Sequence, residues 1–205
     1  MVLGNYIGTD ATGKKRLANG DPGKGFGGSI GSGVEILLAS GNTIGGTEDG
    51  ARNILSGNGQ FGVRIVSPAS SNNKVQGNYI GADATGTDSI TNERDGVRIE
   101  DGSSGNVIGG TVEGAGNVIS GNNSTTSISG PANTGVAIRD ANTTGNKVQG
   151  NFIGTDKDGA APLGNSGRNE PDRVFYTGNG QFGVHILNSP NNTIGGTEEG
   201  AGNVI

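Results

Sequence analysis

Short phrases in which apolar and polar residues alternate recur along the chain between runs of Gly and Asn. The first phrase has the form Gly-Val-x-Ile, and two phrases made of Asn, any residue, and then Ile, Val or Leu follow it each time. Alternation over so few residues, many of them β-branched, is typical of short strands, and the density of Gly and Asn disfavours helix. The pattern therefore predicts three short strands in every repeat. The first phrase starts at Gly33, Gly62, Gly96, Gly135 and Gly183, the second at Asn42, Asn73, Asn106, Asn146 and Asn192, and the third at Asn53, Asn78, Asn117, Asn151 and Asn203.

Three short strands joined by tight turns form one coil of a parallel β-helix, in which a coil buries its apolar side chains only by stacking on its neighbours. We therefore expect an all-β, single-stranded parallel β-helix of about five coils, starting near residues 33, 62, 96, 135 and 183, in a single domain, 1–205. The alternation places the Val and Ile of Gly-Val-x-Ile inside the coil, with one apolar residue from each other strand. The second inward stack is predicted to be Ile44, Val75, Ile108, Val148 and Ile194, and the third Ile7, Leu55, Ile80, Ile119, Ile153 and Ile205.

The Asn that opens each second strand suits a turn in the left-handed conformation, which Asn tolerates better than most residues do. In stacked coils its side-chain amide lies next to the amide of the corresponding Asn one coil away. We therefore expect a ladder of hydrogen-bonded amides along one corner of the solenoid, with Gly at the other corners of positive φ.

The sequence also contains a longer repeat, which spans two coils. Three decapeptides, GNYIGTDATG, GNYIGADATG and GNFIGTDKDG, start at Gly4, Gly77 and Gly150, which is a spacing of 73 residues each time. Coils are thus predicted to alternate between a TExGA insertion before the third strand and a TDxxG excursion after it. The excursions, 8–32, 81–95 and 154–182, vary most, and the segment 173–178 is an alternative third strand whose register the pattern leaves open.

Taken together, the phrases NxIGGTxxGxxNVISGN, GVxI and GNxIGTDxxG resemble the right-handed parallel β-helix repeats of the pectin-lyase-like superfamily. They are most similar to repeats of large secreted or surface-exposed bacterial proteins. The resemblance covers nearly the whole chain and implies a right-handed solenoid in an extracellular or cell-surface location. It leaves the activity open, because that superfamily includes lyases, hydrolases, epimerases, adhesins and inert stalks.

The amino-acid composition excludes or disfavours several kinds of site and partner. The chain has no Cys and a single His, which excludes thiolate metal sites and disfavours a centre built from several His. With 14 Lys and Arg against 19 Asp and Glu, it lacks the basic surface that nucleic acids require, so no nucleic-acid partner is expected. No apolar run approaches the length that spans a bilayer, so no membrane insertion is expected either.

The outward positions of Gly-Val-x-Ile carry several charged residues. The resemblance implies that such a face is the substrate cleft of polysaccharide lyases and epimerases, where Arg or Lys abstracts a proton. The catalytic candidates on it are Arg64, Arg98, Glu100 and Arg139. The alternative is structural: neighbouring coils lie about 4.8 Å apart, so Glu35 would pair with Arg64, and Glu100 with Arg139, as ordinary ion pairs.

The TDxxG excursions are rich in oxygen atoms and raise the question of Ca²⁺. The candidate ligands are Asp10, Asp83, Asp156 and Asp158. Ca²⁺ requires six to eight oxygen ligands, whereas each turn offers one or two carboxylates. Asp in such positions more often accepts hydrogen bonds from its own backbone, so we expect no cofactor, with Ca²⁺ as the alternative.

An apolar stripe is predicted outside the third inward stack, with an aromatic residue on alternate coils: Tyr6, Ile54, Tyr79, Val118, Phe152 and Val204. One interpretation is that the long excursions fold back and cover it. The other is that Tyr6, Tyr79 and Phe152 contact a second chain or stack on sugar rings.

These patterns favour a structural or adhesive, carbohydrate-contacting segment of a secreted or cell-surface bacterial protein, without catalysis of its own. The alternative is a polysaccharide lyase or epimerase-like enzyme that uses the outward GVxI face. The candidate partners are a polysaccharide and a second copy of the chain, bound laterally or end to end. Because Met1–Ile7 and Asn203–Ile205 both lie inside a coil, we expect the chain to be a fragment of a longer solenoid.

Overall fold

The computed structural model describes residues 1–20, 31–122, 134–163 and 179–205, and these ranges contain fifteen short strands and no helix. The repeated phrases predict strands of three to five residues, whereas the strands have two to six residues, and those of the third phrase have only two. They are β1 (Tyr6–Ile7), β2 (Val34–Leu37), β3 (Thr43–Gly45), β4 (Ile54–Leu55), β5 (Val63–Val66), β6 (Lys74–Gln76), β7 (Tyr79–Ile80), β8 (Val97–Glu100), β9 (Val107–Gly109), β10 (Val118–Ile119), β11 (Thr134–Arg139), β12 (Lys147–Gln149), β13 (Phe152–Ile153), β14 (Phe182–Leu187) and β15 (Thr193–Ile194).

The strands form three parallel sheets of five strands each, and every neighbouring pair joins corresponding strands of successive coils. Sheet one contains β2, β5, β8, β11 and β14; sheet two contains β3, β6, β9, β12 and β15; sheet three contains β1, β4, β7, β10 and β13. Equivalent residues lie opposite one another, as when Val63 pairs with Val97, and Ile65 with Ile99. The arrangement is a parallel β-helix of about five coils and confirms the predicted fold class.

The interior consists of the predicted stacks of Val, Ile and Leu. Members from the middle coils, such as Val63, Ile80, Ile108 and Ile119, are fully buried and belong to one continuous cluster. Each contributes roughly 1.5–3 kcal/mol by its burial. The prediction was wrong for the last coil, where Ile186, Ile194 and Ile205 are 41%, 36% and 64% exposed because no described coil stacks on them.

Ladders of Asn side chains run along the corners of the solenoid, and two of them stand where the second and third strands begin. In the first, the Nδ2 atom of Asn73 donates to Oδ1 of Asn106 (3.0 Å), whose own Nδ2 atom donates to Oδ1 of Asn146 (3.0 Å). Each of these Oδ1 atoms also accepts from the backbone N–H of the ladder Asn one coil earlier. Two hydrogen bonds therefore join each of these pairs of neighbouring Asn residues. The full members are Asn42, Asn73, Asn106, Asn146 and Asn192 in the first ladder, and Asn5, Asn53, Asn78, Asn117, Asn151 and Asn203 in the second.

The left-handed conformation lies one residue before the position that we predicted. At this corner, positive φ occurs at the residue immediately before each Asn of the first ladder: Gly41, Asn72, Gly105, Gly145 and Asn191. The prediction was wrong because the ladder Asn must start the extended strand, so that its amide points along the stack. The sharp reversal of the chain is therefore made by the preceding residue.

The third-strand position of the last coil is occupied by Val204, which bridges Phe152 in parallel. The alternative third strand, 173–178, lies outside the described residues.

Candidate functional site

The charged side chains on the outer face of sheet one form a continuous chain of ion pairs. Arg64 pairs with Glu35 (3.0 Å) on the preceding coil and with Glu100 (2.6 Å) on the following coil. Glu100 lies 3.7 Å from Arg98, and Arg98 donates through Nε to Asp95 (2.7 Å). Three of the four catalytic candidates, Arg64, Arg98 and Glu100, are thus brought together as partners of one another.

The fourth candidate, Arg139, does not join this network. Among the described residues Glu100 pairs with Arg64 and Arg98, so the pairing predicted between Glu100 and Arg139 was wrong. Arg64 and Arg98 lie directly opposite each other on β5 and β8, which puts one carboxylate within reach of both guanidinium groups. The Nε atom of Arg139 is buried without a hydrogen-bond partner.

Arg98 is the most enclosed cation of the network, at 8% exposed. Its guanidinium group lies 4.4 Å from the ring centroid of the buried Phe61, in the geometry of a cation–π contact. Asp95, its partner, is fully buried and also accepts from the backbone N–H (2.9 Å) and the hydroxyl (3.2 Å) of Thr134 on the next coil. Asp95 could not be predicted from the repeats, because it precedes the repeated phrase.

The network holds Arg64 in its charged form. Burial would lower the pKa of Arg64, but its hydrogen bonds to Glu100 and Glu35 raise that pKa above the ordinary value. A guanidinium group with a raised pKa is a poor proton acceptor at neutral pH, since a general base works best when its pKa is near the working pH. The geometry of this face therefore favours the structural interpretation of its charges.

We expect Asp95→Asn to lower the free energy of unfolding by about 2 kcal/mol, because it removes the negative partner of a buried guanidinium group. Glu35→Gln is the matched control, since Glu35 is exposed and its pair with Arg64 should contribute less than about 1 kcal/mol. Urea denaturation of both variants measures the difference. Equal losses would show that the buried pair is worth no more than the exposed one.

The carboxylates of the TDxxG turns, which follow the third strand at 9–13, 82–86 and 155–159, accept hydrogen bonds from their own turns. The Oδ1 atom of Asp10 accepts from the hydroxyl of Thr12 (2.8 Å), and that of Asp83 from the hydroxyl of Thr85 (2.6 Å). Asp156 accepts from the N–H of Ala160 (2.9 Å), while Asp158 pairs with Lys157 (2.7 Å). Within the described ranges no group of three or more His, Cys, Asp or Glu side chains could hold a metal ion.

Two of these turns should respond to acid. The hydrogen bond from Thr12 lowers the pKa of Asp10 below 3.8, and the backbone hydrogen bond from Ala160 does the same to the pKa of Asp156. A lowered folded pKa means that the stabilisation is present above the unfolded pKa and is lost as pH falls through the folded one.

We expect Thr12→Val to raise the pKa of Asp10 towards 3.8, because the largest cause of its shift is removed. The pKa of Asp156, which receives backbone donors instead, should not change and serves as the internal control. Carbon-13 NMR titration of the carboxyl groups measures both. An unchanged pKa at Asp10 would contradict the assigned hydrogen bond.

The TDxxG turns stack on one another beside sheet three and cover its outer face. The backbone N–H of Ala84 donates to the carbonyl of Gly13 (3.0 Å), and that of Lys157 to the carbonyl of Gly86 (3.0 Å). Each turn presses a glycine against the aromatic ring of its own repeat. A Cβ atom would lie 2.7 Å from the Tyr6 ring at Gly13, 2.9 Å from the Tyr79 ring at Gly86, and 2.8 Å from the Phe152 ring at Gly159. The aromatic residue and the glycine both recur every 73 residues, so each aromatic ring is covered by the turn of its own repeat.

Of the three predicted contact residues, Tyr79 is buried, Phe152 is half-buried and Tyr6 is 50% exposed. Tyr79 belongs to a second apolar cluster with Ile54 and Val118, outside the main core. The covering of the stripe is thus confirmed for the middle coils, and Tyr79 presents no free ring face for a ligand. Tyr6 and Phe152 keep part of their rings accessible.

A groove with a volume of about 300 Å³ opens beside Phe152. Its lining includes the apolar and aromatic side chains of Tyr79, Val118 and Phe152 and the charged side chains of Arg52, Glu113 and Lys157. The groove lies between a TDxxG turn and two TExGA turns, which are residues 111–115 of coil three and residues 197–201 of coil five. The corresponding TExGA turn of coil one is residues 47–51. We call it the Phe152 groove.

No helix in the described ranges has the length and apolarity to cross a membrane. Comparison with known proteins gave no match: no family model, no curated protein and no solved structure matches this chain.

Proposed function

We propose that the chain is a structural or adhesive, carbohydrate-contacting segment of a secreted or cell-surface bacterial protein, with no catalysis of its own. We further propose that it belongs with the right-handed β-helix repeats of the pectin-lyase-like superfamily. The support for this membership is the resemblance of the GVxI and NxIGGTxxG phrases, together with the parallel β-helix that those phrases form. On this proposal the solenoid is a rigid spacer, whose lateral surface makes the contacts.

The observation that carries the proposal is the chain of ion pairs on sheet one. Glu35, Arg64, Glu100, Arg98 and Asp95 neutralise each other in sequence across three coils. A lyase or epimerase needs a base that is free to take a proton, with groups placed for its substrate. Here the same residues join neighbouring coils by ion pairs, which supports a structural role for this face.

The absence of catalysis is testable with the purified chain. We expect no turnover of uronate polymers or neutral polysaccharides, measured by the absorbance of unsaturated products and by release of reducing ends. Product formation that Arg98→Ala or Arg64→Ala abolishes would contradict the proposal. Because Arg98→Ala also weakens the fold, Arg64→Lys, which keeps a charge in place, would separate a catalytic effect from a structural one.

The carbohydrate contact is proposed at Tyr6, whose ring is half exposed beside the first TDxxG turn. Aromatic faces of this kind stack on the apolar face of a sugar ring. We expect a glycan array to show binding that Tyr6→Ala removes and Tyr6→Phe keeps. Binding that survives Tyr6→Ala would place the contact elsewhere, and an array without any signal would contradict this part of the proposal.

A further inference from the structure

A third ladder of Asn side chains contains every Asn-Gly dipeptide of the sequence. These dipeptides are Asn19-Gly20, Asn58-Gly59 and Asn179-Gly180, and the ladder is completed by Asn92 and Asn122. In an Asn-Gly dipeptide the Asn side chain reacts readily with the main chain, because Gly has no Cβ atom to shield the following N–H. The same reactive dipeptide thus stands in three different surroundings of one structure.

The reaction needs a backbone N–H that is free and an Asn side chain that can turn towards it. The Gly nitrogen attacks the Cγ atom of the Asn side chain and closes a succinimide ring. The side-chain amide leaves as ammonia and takes the proton of the N–H with it. Water then opens the ring at either carbonyl, which gives aspartate or isoaspartate. Hydrogen bonds that hold the Gly N–H or the Asn amide therefore slow the reaction, because they must break first.

Asn58 is held in an unreactive arrangement. It is fully buried, and its Nδ2 atom donates to Oδ1 of Asn92 (2.9 Å). The N–H of Gly59, which would be the nucleophile, donates to the carbonyl of Asn19 (3.0 Å). Both groups that must react are thus already bonded to neighbouring segments.

Asn179 is held in the same way at the other end of the ladder. It is 8% exposed, and its Nδ2 atom donates to the carbonyl of Ile119 (2.6 Å). The N–H of Gly180 donates to the carbonyl of Asn122 (3.2 Å). Again neither the amide nor the nucleophile is free.

Asn19 differs from both, because it is exposed at its end of the ladder. Its Nδ2 atom donates to Oδ1 of Asn58 (3.0 Å), a bond that solvent can replace. The N–H of Gly20 donates no hydrogen bond to any residue within the described ranges. This dipeptide therefore has both an accessible amide and an available nucleophile.

We propose that Asn19 is a site of spontaneous deamidation in the folded protein, and that the third ladder protects Asn58 and Asn179 from the same reaction. The modification uses only water and the chain itself. It does not depend on the proposed adhesive function, and either can fail without the other.

The product loosens the attachment of Asn19 to the first coil. In aspartate, a carboxylate oxygen replaces the donor that faces Oδ1 of Asn58, so that hydrogen bond is lost. Isoaspartate also adds a methylene group to the main chain, where Gly31 packs closely: a Cβ atom there would lie 2.0 Å from the carbonyl oxygen of Asn19. We therefore expect the N–H of Gly59, which donates to that carbonyl, to exchange with solvent faster in the modified chain.

Peptide mapping by mass spectrometry tests the proposal on the whole chain during incubation at mildly alkaline pH. We expect Asn19 to deamidate at least about ten-fold faster than Asn58 and Asn179, because the last two require local opening of the structure. In urea the three dipeptides should react at similar rates, which provides the reference for their intrinsic reactivity. Equal rates in the folded chain, or an Asn19 as slow as the other two, would overturn the proposal.

Two variants separate the reaction from its protection. Asn19→Gln keeps an amide but disfavours ring closure, so position 19 should remain unmodified. Asn92→Ala removes the acceptor that holds the Asn58 amide, so Asn58 should react about five-fold faster while Asn179 keeps its rate. Acceleration of both would indicate general unfolding, and the comparison within the parent chain then decides. An unchanged rate at Asn58 would contradict protection by the ladder.

Hydrogen exchange on the modified chain, separated by its extra negative charge, tests the consequence. The amide of Gly59 should lose protection, whereas the amide of Gly180, bonded to Asn122 at the far end, should keep it. Unchanged exchange at Gly59 would show that deamidation leaves the attachment intact.

Discussion

Replacing Ile119 with Asp is expected to prevent stable folding of the chain. Ile119 is fully buried in the third inward stack, between Ile80 and Ile153 of the neighbouring coils. The variant loses the burial of a large apolar side chain and introduces a carboxylate with no partner inside a dry stack. Together these effects should exceed about 4 kcal/mol, which is a large fraction of the stability of a domain of this size.

The matched control is Lys74→Asp, on the outer face of sheet two. Lys74 is exposed, and its neighbours at the same level of adjacent coils, Thr43 and Val107, leave its side chain in solvent. We expect this variant to differ from the parent by less than about 0.5 kcal/mol. Thermal unfolding followed by circular dichroism compares the two. Similar shifts in Tm would overturn the assignment of inward and outward positions.

Replacing Asn106 with Asp should lower the free energy of unfolding by about 3 kcal/mol, although it changes only one group of atoms. The Nδ2 atom of Asn106 donates to Oδ1 of Asn146 (3.0 Å) and to the carbonyl of Ser70 (3.2 Å), and the whole residue is buried. In the variant, a carboxylate oxygen faces those two acceptors, so both hydrogen bonds are lost and a charge is buried among oxygen atoms. A buried acceptor without its donor typically costs about 1–3 kcal/mol, and a charge costs more.

Asn42→Asp is the control for this ladder. Asn42 is half-buried, and its Nδ2 atom donates to Asn73 (3.1 Å) and to the carbonyl of Ser40 (3.3 Å), so the variant loses the same kind of bond near solvent. We expect a loss of about 1 kcal/mol, measured by urea denaturation. A loss equal to that of Asn106→Asp would mean that burial of the ladder contributes nothing.

The walls of the solenoid could be predicted from the sequence because they depend on local alternation alone. Val63 and Ile65 are separated by one residue, so both must lie on the same face of a strand, and stacking makes that face the interior. The first Asn ladder could be predicted for a similar reason, since identical residues at identical positions of stacked coils must meet.

The other corners were harder to predict, because they depend in part on contacts between segments that do not share a phrase. The third ladder joins Asn58 to Asn92 (2.9 Å) and Asn92 to Asn122 (2.9 Å), and it extends to Asn19 and Asn179. Asn58 and Asn179 share the phrase GNGQFGV, and Asn122 follows Ser-Gly as Asn58 does, but Asn19 and Asn92 stand in unrelated sequences, so no single repeated phrase predicts the whole ladder. The Gly of each GVxI phrase can be recognised in the sequence as a repeat, but the need for Gly is seen only in the structure. A Cβ atom at Gly96 would lie 2.5 Å from Cγ2 of Ile119, so a larger residue would clash there.

The candidate site was predictable to the extent that it lies within the repeats. The pair between Glu35 and Arg64 follows from one outward position on neighbouring coils. Asp95 and Phe61 lie outside the alternating strands, and their contacts with Arg98 depend on how the chain enters sheet one. The Phe152 groove is lined by residues from several turns, among them Arg52, Glu113 and Lys157, so it could be recognised only once the turns are known to stack.

The central claim is that successive coils stack in register, and distances between spin labels test it most directly. The chain has no native Cys, so Thr43→Cys can be combined with Lys147→Cys or with Thr193→Cys, all on the outer face of sheet two. These pairs are three and four coil spacings apart, which corresponds to backbone distances of about 14 Å and about 19 Å. Pulsed electron paramagnetic resonance should give two narrow distributions that differ by about 5 Å. Broad distributions, or a longer distance for the pair that includes position 147, would contradict the stacked solenoid.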